Sequence, residues 1–291
     1  MAEQPESNST MNPEIEPMVE ETTASVSPAL DILVDEHEEE VSENGKTVRR
    51  RGVYLLPNLF TTAALFAGFY AVIAAMRGDF EPAAIAIFAA GILDSLDGRI
   101  ARLTNTQSKF GAEYDSLADM VSFGVAPSLV MFSWALTDLG KFGWSAAFVY
   151  VACAALRLAR FNTSIDTADK NFFTGLASPA AAGILASAVW VSHDLGLVGD
   201  ALPYELAVAV AVLTIVVGIL MIANVPYYSF KDIDPNSRVP FFIIIVVVLV
   251  FGLVLLDPPR FFLTASLLYA ASGPVMQFMK QRKKSPPASE G

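Results

Sequence analysis

The sequence predicts an all-α protein that crosses a membrane about eight times. Three observations carry this. The chain is 54% hydrophobic and only 17% charged over 291 residues, with a mean hydropathy of +0.48, above what a soluble domain shows. Apolar stretches recur at close to the roughly 20 helical residues that a hydrocarbon core requires. Lys and Arg are segregated into alternate connections between those stretches.

The acidic balance of the whole chain is local. Residues 1–45 hold 13 of the 30 Asp and Glu and no Lys or Arg. This stretch is rich in Glu, Ser, Pro and Thr and has too little apolar surface to offset its ordering entropy, so it reads as a disordered acidic tail. It lacks the basic start and apolar core of a signal peptide. Composition turns basic at Lys46, and Arg49, Arg50 and Arg51 stand directly before the first apolar run. Such a cluster suits anionic lipid headgroups.

Spans are expected near 55–76, 82–103, 116–137, 144–162, 179–196, 203–223, 240–256 and 260–277. Asp257-Pro258-Pro259 joins the last two as a hairpin, because proline cannot continue a helix. Ser178-Pro179 starts the fifth span, and Pro57-Asn58 reads as the start signal of the first. With this count, 16 Lys and Arg fall on one side and only Arg77, Lys141 and Arg260 on the other. Both tails and the even-numbered connections are therefore expected in the cytoplasm, with the protein in the cytoplasmic membrane. A short basic tail, 280–291, closes the chain.

Composition also excludes function classes. One cysteine, Cys153, and two histidines, His37 and His193, rule out a cysteine zinc cluster and leave no multi-histidine site. Any metal must sit on oxygen ligands. No basic stripe runs along the body, so nucleic acid is not an expected partner. His193 and Asp194 read as loop residues on the outer side.

Chemistry concentrates between spans 2 and 3. Asp94, Asp97, Gly98, Ala101 and Arg102 fall at helical offsets 0, 3, 4, 7 and 8, one stripe on one face. Gly111, Asp115 and Asp119 fall at offsets 0, 4 and 8 on the next helix. The polar stretch Thr104 to Ser108 makes the turn, so the two helices are expected as antiparallel neighbours with four carboxylates converging between them. Ionisable side chains at membrane depth default to a functional reading. Four carboxylates together repel one another unless cations compensate them. Two divalent ions such as Mg²⁺ or Mn²⁺ would balance the charge, and a paired-metal carboxylate site suits phosphoryl chemistry. Arg102 on the same stripe would pair with phosphate oxygens. The competing readings are a polar network gluing helices, and an ion pathway lined by aspartates, as in a divalent-cation transporter.

The string Asp94-x2-Asp97-Gly98-x2-Ala101-Arg102-x8-Gly111-x3-Asp115-x3-Asp119 resembles the signature of the CDP-alcohol phosphatidyltransferase family at every fixed position. The resemblance implies a six-helix membrane core, here 46–225, with 226–279 as two additional helices. It implies displacement of CMP from a CDP-linked lipid by an alcohol, with Mg²⁺ or Mn²⁺ as cofactor. It implies metal ligation by Asp94, Asp97, Asp115 and Asp119, with Asp119 also the general base. Gly98, Ala101, Arg102 and Gly111 would line the CDP-lipid pocket, and a homodimer is expected.

Further strings resemble the serine-using branch of that family. They are Pro57-Asn58, Asp119 to Pro127, Arg157-Leu-Ala-Arg160-Phe161-Asn162, and Phe173 to Ala182, where the branch often has proline in place of Ala177. They imply CDP-diacylglycerol and L-serine as substrates. Arg157 and Arg160, with Asn162 close behind, are candidates to hold the serine carboxylate; the alternative is anchoring at the membrane surface by snorkelling. Ser122, one turn beyond Asp119, could bond acceptor or metal ligand, or its own helix. Glycerol 3-phosphate and an inositol phosphate are the alternative acceptors; each carries a phosphate dianion that calls for more basic residues.

Overall fold

Long apolar helices do arise where the hydropathy places them. The computed structural model describes residues 38–43, 46–51, 55–104, 108–163, 172–199, 202–228 and 241–284. The tail before Glu38, and Lys170, Asn171, Lys231 and Arg238, lie outside the described residues. The first described elements form a hairpin across residue 45. Strands β1 (Glu38–Glu43) and β2 (Lys46–Arg51) pair antiparallel, with Glu38 opposite Arg51, Glu39 opposite Arg50 and Glu40 opposite Arg49. The end of the acidic run and the basic cluster thus form one element.

Eight long helices follow among the described residues: α1 (Leu55–Met76), α2 (Phe80–Leu103), α3 (Lys109–Leu139), α4 (Lys141–Thr163), α5 (Ser178–Asp194), α6 (Tyr204–Ile222), α7 (Phe241–Leu256) and α8 (Pro258–Lys284). The protein is an all-α polytopic membrane protein, apart from two short strand pairs. Among the described residues, α1, α3, α4, α6 and α8 are long and apolar enough to cross a membrane. The other three miss that standard for simple reasons. Helix α2 carries Glu81, Asp94 and Asp97, while α5 and α7 are short at 17 and 16 residues.

Alanine sets the packing of the first two helices. A tight turn, with the Gly78 N–H donating to Ala75 O (3.0 Å) and that of Asp79 to Ala74 O (2.9 Å), reverses the chain. Helices α1 and α2 then bury Ala64, Ala71, Ala74 and Ala75 with Ala83, Ala84, Ala86 and Ala90. Small residues let helices approach closely where lipid gives no hydrophobic drive.

Helix α3 starts at Ser108, whose hydroxyl caps the helix by accepting from the Gly111 N–H (2.9 Å). It therefore begins earlier than the expected 116. It is not uniform: Met120–Val125 and Phe132–Leu136 widen into π-helical turns on either side of an α-helical turn at Ala126–Met131. The first widened turn follows Asp119 directly, and π-turns of this kind recur at functional positions.

Helix α5 is the most enclosed, with Ala181, Ala182, Ile184, Leu185, Ala186 and Val189 buried. It packs against α2, α3 and α8. Strands β3 (Phe172–Thr174) and β4 (Pro226–Tyr228) pair antiparallel and tie the chain entering α5 to the chain leaving α6. Apolar composition makes both of the last two helices compatible with a lipid-facing position. Helix α7 fits that picture, with every side chain from Phe242 to Leu253 exposed. Helix α8 does not: Phe262 packs its ring 4.7 Å from that of Phe88 on α2, and Ala270 is buried.

Candidate active site

Helices α1 to α6 alternate in direction, so one end of the bundle collects the start of α1, the end of α2, the start of α3, the end of α4, the start of α5 and the end of α6. The aspartates sit at that end. Helical spacing puts Asp94 one turn from Asp97 on α2, and Asp115 one turn from Asp119 on α3. Asp94, Asp97 and Asp115 each offer a carboxylate oxygen, and the three oxygens lie within 4.8 Å of one another. Asp119 stands beside this trio, next to Asp94. Three oxygens thus lie at metal-holding distance, with the fourth carboxyl beside them.

The helices reach this arrangement differently from the expected close antiparallel pair. Helix α1 packs along both α2 and α3, and the aspartate side chains bridge between α2 and α3. Helix α1 also supplies residues that the sequence reading did not single out. Thr61 is buried and donates to Asp97 Oδ2 at 2.8 Å, which fixes that carboxylate. Thr62 and Tyr114 share a hydroxyl hydrogen bond of 2.9 Å across to α3. Asn58 lies inside the first turns of α1, not at its cap, with its side-chain oxygen beside Gly111. The signal for Thr61 was its place one turn after Pro57-Asn58, but threonine in an apolar run reads as ordinary back-bonding, and Thr61 does also reach Pro57 O (3.3 Å).

The donor set fits a divalent cation. It is made of carboxylates alone, and Asp115 Oδ1 is buried without a hydrogen-bond partner. A buried carboxylate oxygen left unpaired is costly unless a cation meets it. Thr61 orients Asp97 from behind, as outer partners commonly do for metal ligands.

The remaining expected residues divide. Gly98 is exposed with open space where a side chain would be, and Ala101 is partly buried. Arg102 is exposed, and its Nε donates to Gly98 O at 3.0 Å. Arg157 lies within electrostatic range of Asp119; its Nη1 donates to Ser178 Oγ at 2.8 Å, while its Nε is buried without a partner. Asn162 Nδ2 donates to Ser116 Oγ at 3.1 Å, next to Asp115. Arg160 bonds Asn224 Oδ1 (2.8 Å) and Ile222 O (3.4 Å), so it fastens the end of α6. Ser122 turns to α1. It is 1% exposed, and its hydroxyl donates to Ala64 O (3.1 Å) on α1, in a contact made possible by Gly68. The widened π-helical turn rotates Ser122 off the face of Asp119. His193 and Asp194 lie at the other end, where His193 Nδ1 is 3.7 Å from Glu81.

The profile of the CDP-alcohol phosphatidyltransferase family matches residues 54–222, from α1 to the end of α6. The chain belongs to this family. Members similar to it include a CDP-diacylglycerol–serine O-phosphatidyltransferase of Helicobacter pylori (strain ATCC 700392 / 26695), 39% identical over 199 residues, covering 68% of this chain and 82% of the relative. Proteins of the same name from Methanocaldococcus jannaschii and Mycobacterium tuberculosis (strain ATCC 25618 / H37Rv) are 36% and 43% identical, over 188 and 155 residues. These alignments cover 64% and 49% of this chain, and 80% and 53% of the relatives. All four aspartates of the CDP-alcohol phosphatidyltransferase signature lie within the matched segment.

Proposed function

We propose that this chain transfers the phosphatidyl group of CDP-diacylglycerol to the hydroxyl of L-serine, giving phosphatidylserine and CMP. The observation that carries the reading is the gathering of the signature aspartates, from two helices, into one carboxylate cluster with an unpaired buried oxygen. Relatives bearing the serine name support the choice of acceptor.

Asp94, Asp97, Asp115 and Asp119 would hold two ions, Mg²⁺ or Mn²⁺. When bound, the metal neutralises the diphosphate and stabilises charge on the departing CMP. Asp119 accepts the proton of the serine hydroxyl as its oxygen attacks the phosphorus that bears the diacylglycerol. The bond from that phosphorus to the CMP phosphate oxygen breaks, and CMP leaves. Thr61 keeps Asp97 aimed. Open space at Gly98, with Ala101 and Gly111 alongside, admits the CDP group, and Arg102 stands at its edge to pair with phosphate. Arg157 is placed to meet the serine carboxylate, with Asn162 nearby; Arg160 acts at one remove by holding the end of α6.

The site belongs at the cytoplasmic face of the cytoplasmic membrane, in a multi-pass chain with both termini on that side and a homodimeric assembly. Residues 46–225 form the catalytic core in this reading, and 226–279 the addition. The deciding experiment is CMP release by purified protein in CDP-diacylglycerol mixed micelles with Mg²⁺ or Mn²⁺. L-serine, glycerol 3-phosphate and inositol phosphate are compared as acceptors. Release that depends on serine and metal is expected. Release with another acceptor overturns the acceptor assignment, and cation flux without CMP release overturns the enzyme reading.

A further inference from the structure

Two arginines stand one turn apart at the end of α4, and the structure uses them differently. Arg160 gives both terminal nitrogens to the end of α6, Nη2 to Asn224 Oδ1 (2.8 Å) and Nη1 to Ile222 O (3.4 Å). Arg157 gives Nη1 to Ser178 Oγ (2.8 Å), and its Nε is a buried donor without an acceptor. Two contacts bracket Arg157 against α3. A Cβ at Gly124 would lie 3.3 Å from Ala154 Cβ, and Asn162 Nδ2 donates to Ser116 Oγ at 3.1 Å. The two helices run antiparallel, so Arg157, between Ala154 and Asn162, stands level with the part of α3 between Gly124 and Ser116, which carries Asp119. Tyr150, whose hydroxyl donates to Phe123 O (3.0 Å), Ala154 and Arg157 fall at helical offsets 0, 4 and 7. Arg157 is therefore on the face of α4 that packs on α3.

Ser178 is a fixed point. It is fully buried at the first position of α5 and is followed by Pro179. The end of α6 clasps the chain just before it: the Gly175 N–H donates to Val225 O (2.9 Å) and the Leu176 N–H to Leu220 O (2.9 Å). Gly175 has φ +86°, and a methyl group there would run into Met221 O, so only glycine permits this approach. The strand pair β3–β4 continues the clasp. Ser178 thus holds one arm of the guanidinium, while the Nε N–H of the same planar group meets no protein acceptor. A buried N–H is costly to leave unpaired, and a guanidinium matches a carboxylate or phosphate, so Arg157 is poised for an anion that the protein itself does not supply.

We propose that Ser178 is a positioning residue for the acceptor: it holds the Arg157 guanidinium so that the buried Nε N–H donates to the acceptor's carboxylate. The inference rests on the serine transfer proposed above and adds to it the residue that orients the cation. Without the Ser178 hydroxyl, Arg157 keeps its charge but loses the arm that fixes its plane. The aspartate cluster and its Thr61 support stay as they are. The consequence falls on acceptor binding and not on the chemical step.

The test is steady-state kinetics of the full-length chain in CDP-diacylglycerol micelles with Mg²⁺ or Mn²⁺, with Tm in detergent measured alongside. Ser178→Ala removes only the hydroxyl. It is expected to raise KM for L-serine about tenfold, the scale of one hydrogen bond to a charged group. KM for CDP-diacylglycerol should stay unchanged and kcat within about threefold, the pattern of lost binding without lost catalysis. Ser178→Thr restores a hydroxyl and should bring KM for serine back toward wild type; if it does not fold, the split between the two KM values in Ser178→Ala still decides. A wild-type KM for serine in Ser178→Ala overturns the inference. A rise confined to KM for CDP-diacylglycerol also overturns it, because the anion at Arg157 is then the diphosphate. Equal rises in both KM values with a lowered Tm overturn it too, since they mark a purely structural hydroxyl. A folded Ser178→Thr that keeps the KM of Ser178→Ala counts against it in the same way. Wild-type protein that releases no serine-dependent CMP overturns the proposed function and this inference with it.

Discussion

Helices α2 and α7 are opposites. Helix α7 is apolar throughout, from Phe241 to Leu256, and every side chain from Phe242 to Leu253 is exposed. Helix α2 is interrupted by Glu81, Asp94, Asp97, Arg99 and Arg102, yet it buries a seam of alanines against α1 and carries half of the aspartate cluster, with Asp97 buried. Apolarity marks a helix as compatible with lipid but says nothing about what it packs on. The charges that make α2 a poor span on composition are the ones that give the protein its chemistry, because buried carboxylates are tolerated only where a partner or a cation offsets them.

The contrast can be broken or sharpened by experiment. The largest effect expected is from chelation: stripping divalent ions should abolish CMP release, and Mg²⁺ or Mn²⁺ should restore it. Activity that survives thorough chelation would remove the metal role from the α2–α3 cluster. Next, Asp119→Asn should lower kcat by about 10²- to 10⁴-fold, the usual range for a lost general base, while CMP binding persists. Unchanged turnover would sink the assignment of the base. Thr61→Val removes the 2.8 Å bond to Asp97 and should raise the Mn²⁺ concentration for half-maximal activity by about 10- to 100-fold. An unaltered metal requirement would mean that Asp97 does not need its outer partner.

Gly68→Ala should act on stability. A methyl there would lie 2.6 Å from Ser122 Oγ and 2.7 Å from its Cα, so α1 and α3 must separate, at a cost of about 1–3 kcal/mol. A lowered Tm in detergent is the readout, and an unchanged Tm would show that the widened turn of α3 yields freely. The smallest effect belongs to α7: Leu249→Ala, at an exposed position, should change stability by less than about 0.5 kcal/mol and leave CMP release intact. A loss as large as that of Thr61→Val would erase the distinction between the two helices.

Much of the fold was legible because hydropathy and proline are local signals. The ends of α1, α2, α4 and α6 fall close to where the apolar runs change, and Asp257-Pro258-Pro259 turns α7 into α8. The aspartate stripes were legible because helical offsets fix which residues share a face. The start of α3 was misplaced since Lys109 to Asp115 is polar and helical only through its Ser108 cap and its packing on α1. A regular helix would put Ser122 under Asp119, whereas the π-helical turn carries it to Ala64 on α1. Arg160 looked equivalent to Arg157 in sequence, but one bonds the end of α6 and the other lies near Asp119.

By itself, the sequence determined that the chain is helical, crosses a membrane repeatedly, and carries four aspartates on two helical faces with the spacing of one enzyme family. Those properties depend on composition and on the 3.6-residue period, which need no knowledge of distant contacts. Only the tertiary structure decided that α1 stands along both aspartate helices and holds Asp97 through Thr61. Only it decided that three carboxylate oxygens meet with Asp119 beside them, and that α8 packs on α2 through Phe262 and Phe88. These are contacts between residues tens to more than a hundred positions apart, set by how small side chains let helices approach and by where a helix departs from its regular turn.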